Sequence, residues 1–155
     1  MKKNRNSISI RHALMLLVLL LGFSALGHAQ TEINKNGLKF RYDSRQATVI
    51  GYEELTSKHV IIPQSTYYDG DYPTKSIGEN AFSGCTYLTS IYIPESVTSI
   101  GNGAFSGCSG LTSITIPKSV TSVGENAFSD CRVLASVNIP EGVTSIGKNA
   151  FTGCI

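Results

Sequence analysis

The sequence predicts a repeat solenoid: short parallel β-strands stacked coil on coil, joined by short helical or 3₁₀ turns, behind an N-terminal β-hairpin cap. Two observations carry this. The phrase SIGENAFSGCTYLTSIYIPESVT, residues 76–98, returns almost verbatim from Ser99, Ser122 and Ser145, a fixed period of 23 residues. Within the copies, apolar residues recur in the same places without insertion or deletion, and a single coil cannot bury them alone.

Residues 1–29 are set aside first. Lys2, Lys3, Arg5 and Arg11 precede the apolar run ALMLLVLLLGFSAL, residues 13–26, which is shorter than the roughly 20 residues a spanning helix needs. Gly27-His28-Ala29 follows, so the segment reads as a secretory signal peptide cleaved after Ala29. It holds four of the 13 Lys+Arg and none of the 11 Asp+Glu, so the exported chain carries nine against 11. That balance offers no basic face for nucleic acid and no cluster for anionic lipid, and no membrane insertion is expected after cleavage.

Residues 30–75 are the expected hairpin cap and a degenerate first repeat. Leu38, Phe40 and Tyr42 alternate, the chain turns over Asp43–Gln46, and Ala47, Val49 and Gly51 return it. VIIPQ, residues 60–64, matches IYIPE, residues 91–95. An eight-residue insertion containing YYDGDYP follows, with Asp69-Gly70 suited to a hairpin turn.

Residues 76–155 hold three full repeats and one partial repeat. Ile77/Ile100/Val123/Ile146 form one apolar column, and Ala81/Ala104/Ala127/Ala150 and Phe82/Phe105/Phe128/Phe151 form two more. Leu88, Ile91 and Ile93 mark a short half-buried strand that Pro94 ends, after which Val97 and Ile100 turn inward. Gly101 is expected to supply a positive φ. NGAFSGC is expected to form the helical or 3₁₀ turn. No cap follows Cys154; a truncated product, a fragment of a longer array, or self-association through the uncapped C-terminal coil would each account for that.

The pattern LTSIYIPESVTSIGNGAFSGC resembles the BspA-type leucine-rich repeat, a 23-residue variety common in secreted and surface proteins of Bacteroidetes and treponemes. The resemblance covers Ser76 to Ile155. It implies a right-handed leucine-rich-repeat coil, cysteine as a framework residue, and adhesion to host proteins or other bacteria.

Cys85, Cys108, Cys131 and Cys154 are the residues that most suggest chemistry. Stacked about 5 Å apart in a line, they cannot converge on a tetrahedral zinc, and no C-x-x-C is present. They read as buried free thiols beside Phe82, Phe105, Phe128 and Phe151; one or two disulfides between adjacent repeats are the alternative. Only His59 remains once His12 and His28 leave with the signal peptide, and it reads as a solvated strand-edge residue. GNGAFSG, residues 101–107, lacks the spacing of a phosphate loop. No catalytic residue, metal or cofactor is expected, and the chain is not read as an enzyme.

Binding is expected instead on the outward strand face: Thr89, Ser90 and Tyr92, then Thr112, Ser113 and Thr115, then Ala135, Ser136 and Asn138. Glu95, Lys118 and Glu141 extend it. Tyr67, Tyr68 and Tyr72 crowd the inserted loop, either as a contact site or as part of the cap. The expected function is non-catalytic recognition of protein or glycan at the bacterial surface by a secreted or surface-held chain, with the periplasm as the alternative location. A structural spacer with no ligand is the competing reading.

Overall fold

The computed structural model describes residues 30–33, 37–43, 45–53, 57–67 and 71–155; the expected signal peptide lies outside them. Strands β1 (Gln30–Ile33), β2 (Leu38–Asp43) and β3 (Gln46–Tyr52) form an antiparallel meander. In β2 and β3 the alternation turns Leu38, Phe40, Tyr42, Ala47 and Val49 inward. Asp43 pairs with Gln46, and β1 adds a strand that residues 30–33 do not announce in sequence. Next come β4 (His59–Ile61), β5 (Ser65–Tyr67) and β6 (Asp71–Ile77). β5 and β6 pair antiparallel with Tyr67 opposite Asp71, and the turn at 68–70 lies outside the described residues.

Strand β3 runs parallel to β6, so the meander leads directly into the repeats. There the coils build two parallel ladders. β7 (Ser90–Tyr92) and β9 (Ser113–Ile114) stack on β4, with His59 opposite Ser90 and Ser90 opposite Ser113. β8 (Ser99–Ile100), β10 (Ser122–Val123) and β11 (Ser145–Ile146) stack on β6. The second ladder adds to the single one expected from sequence. After Pro94 the chain turns tightly, with the Val97 amide donating to the Pro94 carbonyl at 3.1 Å. Ser99 and Ile100 are thereby laid alongside the same residues of the neighbouring coil.

The expected helical or 3₁₀ turns are corrected: the described residues contain no helix. Amides along the Asn80–Cys85 wall alternate in use. Those of Ala81, Ser83 and Cys85 donate three residues back, to Gly78, Asn80 and Phe82. Those of Asn80, Phe82 and Gly84 donate to Asn102, Ala104 and Ser106 of the next coil, at 2.7–2.9 Å. A helix would need all six for itself, and stacking takes half of them.

The wall also fixes where left-handed backbone falls. Asn80, Gly103, Asn126 and Asn149 form one positive-φ column, and Gly84, Gly107, Asp130 and Gly153 another. Glycine, asparagine and aspartate are the residues that enter this region at least cost. Gly101, expected there, is not among them. Its role is close approach, since a Cβ on Gly101 would lie 2.8 Å from the Glu79 nitrogen of the preceding coil.

The core is a ladder of rings. Phe82, Phe105, Phe128 and Phe151 stack with centroids 5.3, 5.2 and 5.2 Å apart and planes within 8° of parallel. Phe82, Phe105 and Phe128 are fully enclosed, each contributing about 1.5–3 kcal/mol by leaving water. At the N-terminal end Tyr52 of β3 lies on Phe82 at 6.2 Å and 14°, taking the place of a preceding phenylalanine.

Candidate functional site

The first ladder carries the strand face on which binding was expected. Parallel register places one residue per coil in each row, so Ile61 lies opposite Tyr92. Thr115 follows in the Tyr92 column and bridges to Asn138. The row Ile61, Tyr92, Thr115, Asn138 is exposed throughout, with Ile61 65 % and Tyr92 57 % open to solvent. Beyond the strand-ending prolines runs a second exposed row, Glu95, Lys118 and Glu141.

The predicted residues divide into two groups by what their polar atoms do. Thr89 Oγ1 donates to the Lys58 carbonyl at 3.0 Å, and Thr112 Oγ1 to the Thr89 carbonyl at 3.1 Å. Ser90 Oγ is held by His59 Nδ1 at 2.6 Å. These groups tie one coil to the next. Tyr92, Thr115, Asn138, Glu95, Lys118 and Glu141 make no side-chain hydrogen bond or ion pair within the described residues. Ser113, Ala135 and Ser136 are exposed beside them. Ile61 was missed as a face residue, although the VIIPQ–IYIPE match already puts it in the Tyr92 column.

The inserted-loop tyrosines that are described, Tyr67 and Tyr72, have different settings. Tyr72 meets the buried Tyr42 edge to face, with centroids 5.3 Å apart, and so belongs to packing. Tyr67 is 78 % exposed at the end of β5, and Tyr68 lies outside the described residues.

The two rows border a shallow groove. One depression of about 280 Å³ is lined by residues including His59, Ile61, Tyr92, Glu95, Thr115 and Pro117. A second, of about 680 Å³, shares Glu95, Thr115 and Pro117 with it and continues over Lys118, Asn138 and Glu141. The groove therefore crosses from the degenerate repeat to the third full coil.

The cysteines are free, and three of them are fully enclosed. The Cys108, Cys131 and Cys154 thiols each donate to the carbonyl of Phe82, Phe105 and Phe128 in the coil before, at 3.1, 3.2 and 3.3 Å. Burial pushes Cys131 up to about 12 and raises Cys154 as well. The neighbouring Cys108 side chain draws Cys85 down, while Cys85 and then burial push Cys108 up. The same Cys85 side chain, then burial, holds the Tyr52 hydroxyl above its ordinary value. The Cys108, Cys131 and Cys154 thiols thus fill space and add a second donor to carbonyls that already accept the Cys85, Cys108 and Cys131 amides within their own turns. Among the described residues no cluster of His, Cys, Asp or Glu is placed to hold a metal ion.

The repeat phrase and the paired ladders meet in one comparison. A family model described as the BspA type leucine rich repeat region matches residues 56–155, in six copies. The chain belongs to this BspA-type leucine-rich repeat family. Solved structures agree. A leucine-rich repeat protein from Bacteroides capillosus is 30 % identical with a TM-score of 0.70, over 75 % of this chain and 86 % of that one. One from Bacteroides ovatus is 35 % identical with a TM-score of 0.68, over 85 % of this chain and 33 % of that one. This chain therefore spans a third of the B. ovatus protein. The T. pallidum leucine-rich repeat protein shares the fold at 24 % identity and a TM-score of 0.57, over 84 % of this chain and 67 % of that one. Among curated proteins, none matches. BspA-type repeats are bacterial scaffolds, generally non-enzymatic, and leucine-rich repeats generally mediate protein interactions.

Proposed function

We propose that this BspA-type protein is an exported, non-catalytic recognition module that makes adhesive contact with protein or glycan at the bacterial surface. The observation that carries the reading is the division of the strand face. One row of polar groups is consumed by the scaffold, and the row beside it is exposed and without internal partners. Polar and aromatic groups fixed on a ladder and left unpaired are pre-organised for a partner. The basic and apolar segment ahead of residue 30 supports export, and the β2–β3 hairpin, with Tyr52 on Phe82, serves as the N-terminal cap.

Binding of the fluorescently labelled secreted form to bacterial cells and to immobilised matrix components tests this. Saturable binding is expected, lost in Tyr92→Ala/Asn138→Ala with unchanged thermal unfolding. No saturable binding to any surface would leave the chain as a spacer. Hydrolysis of a common polymer that disappears in His59→Ala would make it an enzyme.

A further inference from the structure

We infer that the groove on the strand face takes an uncharged linear glycan, lying along the stacking direction with one sugar ring on Tyr92. The inference rests on the recognition reading above and names the partner class of that same surface.

Spacing is the first argument. Ile61, Tyr92, Thr115 and Asn138 come from successive coils, and neighbouring strands lie about 4.8 Å apart. A pyranose unit in an extended chain advances by nearly that distance, so successive rings meet successive coils in step. An extended polypeptide advances about 3.3 Å per residue and presents same-side groups at about twice that. It falls out of step with the coils almost at once.

Charge is the second argument. The groove carries Glu95 and Glu141 with Lys118 between them. Two carboxylates repel a polyanion, and the central ammonium opposes a run of cations. Mixed donors and acceptors suit a ligand built of hydroxyls: Thr115 and Asn138 do both, the glutamates accept and the lysine donates. Tyr92 and Ile61 give the apolar platform at one end, on which the C–H face of a ring can rest. The groove is open and shallow, which matches a ligand gripped along one edge and bound in the micromolar to millimolar range.

The test uses the secreted form in affinity electrophoresis through gels containing neutral linear polysaccharides (a mixed-linkage β-glucan, a β-mannan and a xylan), with heparin and polygalacturonate as acidic controls. Retardation by at least one neutral polymer and by neither acidic one is expected. Tyr92→Ala and Asn138→Ala should each weaken it at least tenfold, while Thr89→Val, which alters the scaffold row, should change it less than threefold. In parallel, cell surfaces that bind the protein are treated with periodate or with protease. Loss after periodate and retention after protease is expected. The reverse result, with Tyr92→Ala still abolishing cell binding, overturns the glycan and leaves the recognition surface standing for a protein partner. Retardation unaffected by Tyr92→Ala and Asn138→Ala overturns the groove as its site. Failure to bind both polymers and cells overturns the recognition reading together with this one.

Discussion

The turn wall and the strand face of each coil are built from the same 23-residue unit and have opposite tolerances. Along the wall every second amide crosses to the next coil, glycines let backbones touch, and rings and thiols stack without a gap. On the strand face, positions three residues apart differ completely in duty: Thr89 and Thr112 are bonded across coils, while Tyr92, Thr115 and Asn138 are not. Within this one chain the wall positions repeat nearly letter for letter, and the free row changes in every copy. Repetition marks the scaffold, and variation marks the surface left to do something else.

The sharpest way to break this contrast is in the wall. Phe105→Ala removes a ring stacked on both sides and should cost about 3–5 kcal/mol, read as a lowered urea midpoint. Gly124→Ala should follow at about 1–3 kcal/mol, because a Cβ there would lie 2.5 Å from the Asn102 nitrogen. Alkaline pH probes the thiol column. The unfolded Cys131 thiol ionises near its ordinary 9.0 and the folded one near 12, so the unfolded chain holds fewer protons across that window. Stability is full below pH 9 and falls toward 12, by about 1.4 kcal/mol per pH unit from this thiol; urea titrations in Cys131→Ala should show a shallower fall. Asn126→Ala, at a φ of 53°, should cost about 1 kcal/mol, while Asn126→Gly is nearly neutral. Smallest is Thr115→Ala on the free row, expected within about 0.5 kcal/mol of the parent.

Much of the fold was legible because a strict period leaves few alternatives. The phenylalanine, alanine and cysteine columns could be read directly, and the match of VIIPQ to IYIPE gives the register in which β4 meets β7. What failed to show was what depends on two coils at once. A single NGAFSGC favours a helical turn, and only stacking reveals that half its amides have better partners. Gly101 looked like a conformational glycine, while the obstacle to a side chain there is backbone from another coil. Tyr52 resembles no repeat residue, and its place at the head of the ring ladder follows from the path of β3. On the surface the sequence marked the outward strand face. It could not tell a spent hydroxyl from a free one, since Thr89 and Thr115 differ only in the carbonyl within reach.

The crossing bonds of the wall have one more consequence. The amides of Asn80, Phe82 and Gly84 all point toward the following coil, and those of Gly103, Phe105 and Gly107 repeat the arrangement. The stack therefore has a polarity, offering carbonyls at one end of each coil and amides at the other. Two copies meeting by two-fold symmetry at like ends would set donor against donor or acceptor against acceptor along this wall. Only unlike ends match donors to acceptors, and within this chain the carbonyl end already carries the Tyr52 ring of β3 on Phe82.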